Sequence, residues 1–212
     1  MTETTRSETA RPEIDSLTAK QSARRQRVLE AAMDLAREGG YEAVQMRDVA
    51  ARADVALGTV YRYFSSKDQL LAAVWADWRE ALETRLHHGQ PLQGSSRAQL
   101  VFDFLRRATR PLERNPRLAA ALVTSYASPD ANAVAHQREV ASWMTRIVVE
   151  ALDGLPPDDV QGIREVLGHV WYSALLSWVH GRMEAPRMYE LLANACHLLL
   201  DHYDSAEAKR RR

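Results

Sequence analysis

The sequence predicts an all-α protein. Three observations point there. Apolar residues recur at i, i+3, i+4 and i+7 over long stretches. Those stretches are built largely from Ala, Leu, Arg and Glu, which favour helices. Only nine glycines interrupt 212 residues, and no stretch makes a convincing strand. About nine helices are expected, split between an N-terminal three-helix domain and a C-terminal helical domain.

Residues 1 to about 19 are rich in Thr, Glu, Ser and Arg with little to bury, and are expected to form a disordered arm. The first helix is expected from about Ser22 to Glu38, with Val28, Leu29, Ala32, Leu35 and Ala36 as its stripe and Gly39 as its stop. Two short helices joined by a tight turn follow between Met46 and Phe64. Val49, Ala50 and Ala53 share a face of one, and Val60 and Phe64 a face of the other. Ser66-Lys67-Asp68-Gln69 is a capping box that opens a fourth helix, continued by Leu70, Leu71, Val74, Trp75, Trp78 and Leu82. Its N-terminal amides beside Lys67 suit a phosphate. It fades at His87-His88-Gly89-Gln90-Pro91, an expected hinge. The first domain is thus placed at 22–82, with its motif at about 45–64.

The second domain is placed at 90–204. A helix is expected from Ser96 to about Arg114, with Leu100, Val101, Phe104, Leu105 and Ala108 inward, then a short one from Pro116 to Ser125. Ser128-Pro129-Asp130 is a start signal of cap, proline and first-turn acid for a helix ending at Asp153-Gly154. Pro156-Pro157-Asp158 opens another, which stops near Gly181, and Pro186 opens the last. Residues 205–212 are expected to be a frayed basic tail. The last two helices are apolar on more than a narrow stripe, so one face is expected to meet a second copy of the chain. Leu175 and Leu192 are the expected dimer-interface residues.

Several function classes drop out. No apolar run approaches ~20 residues, so no membrane span is expected. The N-terminus lacks the apolar core of a signal peptide, and the single Cys196 suits a reducing cytoplasm and excludes an intrachain disulfide. The seven histidines show no metal-ligand spacing; the nearest pair is His197 with Asp201. No phosphate loop, zinc-protease motif or nucleophile elbow is present. Neither a cofactor, a metal nor a catalytic residue is expected.

The chemistry lies on the second motif helix. It exposes Leu57, Gly58, Thr59, Tyr61, Arg62 and Tyr63, a small, hydroxylic, aromatic and cationic set suited to a DNA major groove. Gly58 allows close approach, Arg62 can reach a guanine edge or phosphate, and tyrosine hydroxyls can hold phosphates. Net charge is zero, but Lys20 to Lys67 carries nine bases against six acids, an excess of +3. Arg24 and Arg25 belong to the basic group at the start of the first helix.

The segment from about Arg24 to Leu82 resembles the DNA-binding domain of the tetracycline-repressor family of bacterial regulators. Gly58, Thr59, Tyr61, Phe64, Lys67 and Leu70 fill its Gly-Thr-x-Tyr-x-x-Phe pattern and the Lys and Leu beyond, after a Gly39-Gly40 stop and Tyr41. Gln45 stands where Thr or Ser usually caps the first motif helix, and Ala56 where Ser usually caps the second. The resemblance implies DNA contacts at Gln45, Arg47, Leu57 to Thr59, Tyr61 to Tyr63 and Lys67, in a homodimer on a pseudo-palindromic operator.

Gln45-Met46-Arg47, Arg62 to Phe64, Arg114 to Leu118 and Val170 to Trp178 are similar to the family branch of actinobacterial repressors of cholesterol catabolism. That branch implies a large apolar effector, a steroid or acyl thioester. Leu105, Trp143, Met144 and Trp171 are the expected ligand-binding residues, although Trp and Met at helical spacing suit plain core packing equally. The resulting expectation is a ligand-responsive repressor of lipid or steroid catabolism genes. Its rival is a helical carrier or enzyme acting on an apolar acyl compound.

Overall fold

The computed structural model describes residues 10–88, 91–130 and 151–210. Among them are eight helices and no strand. These are α1 (Ala10–Ala43), α2 (Met46–Arg52), α3 (Leu57–Tyr63), α4 (Lys67–His88), α5 (Arg97–Glu113), α6 (Pro116–Tyr126), α7 (Pro157–Val179) and α8 (Ala185–Arg210). The helix expected after Ser128-Pro129-Asp130, with Trp143 and Met144 on it, lies outside the described residues, as do Gly89 and Gln90 of the expected hinge.

Helix ends follow local chemistry. Ser66 caps α4 by accepting from the Gln69 amide at 3.0 Å, and the Gln69 side chain accepts from the Ser65 amide at 2.6 Å. The same reciprocal device opens α5, where Ser96 accepts from Gln99 N at 3.2 Å and Gln99 from Ser95 N at 2.8 Å. α1 is broken at Gly40 (φ 71°, ψ −159°), one residue beyond the expected stop. Only glycine adopts that conformation without strain.

Two ends run further than the sequence suggested. α1 starts at Ala10, inside the expected disordered arm, rather than near Ser22. Pro12 is compatible with a first helical turn, and no glycine interrupts the residues that follow. α8 continues to Arg210 through the expected frayed tail. Ala206, Glu207, Ala208 and Lys209 favour helix, and terminal bases suit its negative end.

One apolar core joins the two expected domains, running from Val28 and Leu29 through Phe64, Leu70 and Leu71 to Phe104, Leu122, Leu167 and Leu200. α1 packs chiefly on α6, which also touches α4 and α7; α8 packs on α5 and α7. No helix among the described residues is long and apolar enough to cross a membrane.

Leu175 and Leu192 require a correction. They are 1% and 0% exposed in the single chain, so they belong to its own core and have no surface left to lose at a dimer seam. Among the described residues, the large apolar side chains that α7 and α8 leave exposed are Val166 and Leu198, at 47% and 83%.

Leu192→Ala should therefore lower the unfolding free energy by about 2–5 kcal/mol, as large-to-small core changes do. The folded variant should keep its wild-type sedimentation coefficient. A variant of unchanged stability that sediments as a smaller species would return Leu192 to the seam.

Candidate functional site

The two motif helices are held to α1 from behind. Val49, Ala50, Ala53, Val60 and Phe64 are buried beneath them. Arg52 on α2 makes a two-pronged ion pair with Glu38 on α1, at 2.6 and 2.8 Å. Arg52 bonding holds the Glu38 carboxyl below its ordinary range. Arg27 Nε donates to the carbonyl of Ala53 at 3.3 Å, tying α1 to the turn. That turn is a Schellman closure: Val55 N donates to Ala50 O at 3.1 Å and Asp54 N to Ala51 O at 3.3 Å. Asp54 takes the left-handed position (φ 52°) usually given to glycine. Asp is among the residues that tolerate it best.

The outward face carries the predicted side chains. Leu57 is 37% and Tyr61 52% exposed, and both lie clear of the core beside exposed Gly58 and Arg62. A Cβ built on Gly58 would meet nothing within 4 Å, so the chain's own packing does not demand glycine there. Thr59 and Tyr63 are half-buried. Tyr63 donates to the carbonyl of Gln21 at 3.3 Å, and its ring lies 5.4 Å from the Arg62 guanidinium carbon. Arg24 and Arg47 are exposed; Arg25 lies over the Phe64 ring at 5.5 Å. Gln45 precedes α2 without capping it, because its amide turns back to the Glu42 carbonyl at 2.9 Å. Ala56 likewise leaves α3 without a side-chain cap.

Lys67 sits at the first turn of α4, with its ammonium 3.7 Å from the Tyr41 ring centre and donating to Tyr41 O at 3.3 Å. An ammonium has three donors, so others remain for a phosphate. Tyr41 is part of a link that the sequence reading missed. Its hydroxyl donates to Asp68 Oδ1 at 2.6 Å, and Ser128 donates to Asp68 Oδ2 at 2.6 Å. Burial first, and then that Asp68 bond, push the Tyr41 phenol well above its ordinary ionisation range. Ser66 donates to Asp130 beside them. Arg117 on α6 donates to the carbonyl of Glu38 at 2.5 Å. These contacts couple the reading head to the rest of the chain. None has a sequence signature, because every partner is distant along the chain.

In the second domain Leu105 is fully buried and Trp171 4% exposed. The Trp171 indole N–H donates to Thr109 Oγ1 at 2.9 Å, and Thr109 donates to Leu105 O at 2.8 Å. The polar atom of this expected ligand residue is thus engaged within the fold. A threonine on the apolar stripe of α5 was the signal that could have found this. Trp75 on α4 differs. It is 3% exposed, its ring lies 5.9 Å from Tyr126, and Tyr126 lies 5.0 Å from Tyr172. Its indole N–H finds no acceptor among the described residues. An unmade buried donor costs about 1–3 kcal/mol. Cys196 is a buried thiol, which burial pushes up to about 12.

Comparison with known proteins agrees with this layout. Residues 28–74 match the family described as bacterial regulatory proteins, tetR family, and residues 94–199 the tetracyclin repressor-like C-terminal domain. The HTH-type transcriptional repressor KstR of Rhodococcus jostii is 38% identical over 89% of this chain and 88% of its own length. A TetR transcriptional regulator from Rhodococcus sp. RHA1 shares 33% identity, with a TM-score of 0.76 over 85% of this chain and 97% of that one. Thermus thermophilus FadR, a TetR-family repressor solved in complex with lauroyl-CoA, superposes with a TM-score of 0.62 at 21% identity, covering 82% of this chain and 92% of that one. The last likeness is one of fold.

The missing cap on α3 yields a direct test. Ala56 already has the extended geometry of an N-cap (φ −65°, ψ 144°). Ala56→Ser should stabilise the chain by about 1 kcal/mol, seen as a higher denaturation midpoint at unchanged slope. No gain would mean the hydroxyl fails to reach the first-turn amides.

Proposed function

The chain belongs to the tetR family of bacterial regulatory proteins, and from that premise we propose how it reads DNA and what releases it. Its relatives are transcriptional repressors, which removes the carrier or enzyme as a rival. Leu57, Gly58, Thr59, Tyr61 and Arg62 enter the major groove. Arg24, Arg25, Gln45, Arg47, Tyr63 and Lys67 hold the backbone on either side. The observation that carries this reading is the outer face of α3. It presents an exposed leucine, tyrosine and arginine around a glycine that the fold does not require.

Two copies join through the outer faces of α7 and α8, where Val166 and Leu198 remain exposed. The effector is a steroid-like or long-chain acyl thioester. Supporting this are the similarity to KstR repressors and the common fold with a FadR solved with lauroyl-CoA. It enters the second domain between α4 and α7, with Leu105 and Trp171 as fixed packing at its back. Trp143 and Met144 belong to the same proposal from the sequence alone. The genes controlled are those of lipid or steroid breakdown.

Gly58→Ala and Arg62→Ala test the reading head together. Gly58→Ala should raise or preserve stability, since alanine is favoured over glycine in a helix by about 0.5–1 kcal/mol, yet weaken operator binding. Arg62→Ala should cost about 1–3 kcal/mol of binding and relax base choice. Fluorescence anisotropy on the operator and on a scrambled duplex separates these effects. Wild-type affinity in both variants would take α3 out of the groove.

The effector and the seam have their own tests. Lauroyl-CoA and a steroid acyl-CoA should each be tried for release of operator; release by neither would overturn the effector class. Val166→Asp with Leu198→Glu should give a folded monomer with greatly weakened operator affinity, because one head lacks the avidity of two. Analytical ultracentrifugation reads the outcome, and an unchanged dimer would place the seam elsewhere.

A further inference from the structure

We propose that Trp75 is the polar recognition point for the effector, its indole N–H donating a hydrogen bond to an acceptor oxygen on an otherwise apolar ligand. This rests on the reading above that an apolar effector enters the second domain. The ligand class it selects is an apolar molecule bearing a ketone, ester or thioester carbonyl.

The contrast between two buried indoles carries the argument. Trp171 has its N–H closed by Thr109, which in turn is closed by the Leu105 carbonyl, so that ring is complete without a ligand. Trp75 is as deeply buried at 3% exposure, yet its N–H has no acceptor among the described residues. Buried polar atoms in folded proteins are almost always paired, and an unpaired one is open to a partner. An indole N–H can donate and cannot accept. The missing partner must therefore be an acceptor.

The surroundings narrow it further. Tyr126 and Tyr172 continue from Trp75 as a chain of tilted aromatic rings on α6 and α7. The Tyr172 hydroxyl is directed to the Val123 carbonyl at 3.4 Å. A molecule lying along these rings meets aromatic faces and the Trp75 N–H, which suits a flat or extended apolar body bearing a carbonyl. Trp75 also lies on the helix that begins at the reading head. Eight residues separate it from Lys67, about 12 Å along the axis at 1.5 Å per residue. A ligand bond made here acts on α4 itself.

The experiment uses the full-length protein with its tryptophan indoles labelled with nitrogen-15. The probes are cyclohexanone and methylenecyclohexane, which have nearly the same shape but differ in the acceptor oxygen. Trp75→Phe assigns the resonance and keeps an aromatic ring in place. Cyclohexanone should move the Trp75 N–H signal downfield and leave that of Trp171 in place; methylenecyclohexane should not cause the downfield shift. Trp75→Phe should bind cyclohexanone at least fivefold more weakly and methylenecyclohexane unchanged. Equal shifts with the two probes, or no shift with either up to the solubility limit, would overturn the proposal. So would a free-protein signal already at a hydrogen-bonded position and unmoved by ketone, because a water would then hold the donor. The wild-type comparison of probes stands even where the variant folds poorly; the four variants Trp78→Phe, Trp143→Phe, Trp171→Phe and Trp178→Phe, each removing one of the other indole signals, then leave that of Trp75 by elimination. If the ketone acts as described but acyl thioesters leave the operator bound, the effector class fails while the Trp75 donor survives.

Discussion

The joint between head and core depends on the last turn of α1. The left-handed Gly40 breaks the helix there, and Arg117 of α6 donates to the Glu38 carbonyl just before the break. Such terminal carbonyls have no partner within their own helix. The residue after the break, Tyr41, receives Lys67 on its ring and carbonyl and bonds Asp68 in the first turn of α4. One backbone reversal thus sets α1, α4 and α6 against one another. A side chain at position 40 would put a non-glycine residue in the left-handed region, at a cost of roughly 1–2 kcal/mol. The backbone conformation alone sets that cost, since the added Cβ would make only ordinary contact with the Arg117 carbonyl at 3.8 Å.

Charge in the head is divided by the same logic. Arg52 is paired with Glu38, Arg37 with Asp34, and Arg27 is turned onto a backbone carbonyl. These cations build the head. Lys20, Arg24, Arg47 and Arg62 are exposed. With so small a cationic surplus and a chain of zero net charge, long-range attraction to phosphates is weak. Under the proposed reading, discrimination falls on the close fit of α3, where a glycine without an internal role has its use.

The sequence made some features plain and hid others for physical reasons. The cap at Ser66, the helix start at Ser96, the stop near Gly39-Gly40 and the buried stripe of each short helix are local, and local rules read them. The outer face of α3 was legible because Leu57, Tyr61 and Arg62 interrupt an otherwise simple apolar pattern. Leu175 and Leu192 were misplaced because α7 and α8 are apolar on several sides. Periodicity says that a helix is buried broadly; it does not say which stripe meets its own chain and which meets another. The Schellman turn at Asp54 lacked its usual glycine, so no signal marked it. The Tyr41–Asp68–Ser128 link joins residues far apart in sequence, and no spacing rule reaches that far. Trp75 and Trp171 look alike on paper. Only the position of Thr109 tells one indole from the other.

That difference bears on which of the packed helices can respond. Thr109 closes Trp171 onto α5, so α5 and α7 are fixed to each other by a buried bond. At Trp75, α4 meets α6 through the ring of Tyr126, which in turn meets Tyr172 of α7, and aromatic pairs tolerate sliding better than a closed hydrogen bond does. The energy scale is adequate for a signal. A tenfold change in operator affinity requires about 1.4 kcal/mol of differential binding between two head spacings. A single net hydrogen bond contributes about 0.5–1.5 kcal/mol, and the unmade donor at Trp75 adds the relief of its own desolvation when it is met. One carbonyl placed on α4 is thus comparable with the whole free energy the switch needs. The same carbonyl offered to the closed pair on α5 and α7 would find no donor and move nothing.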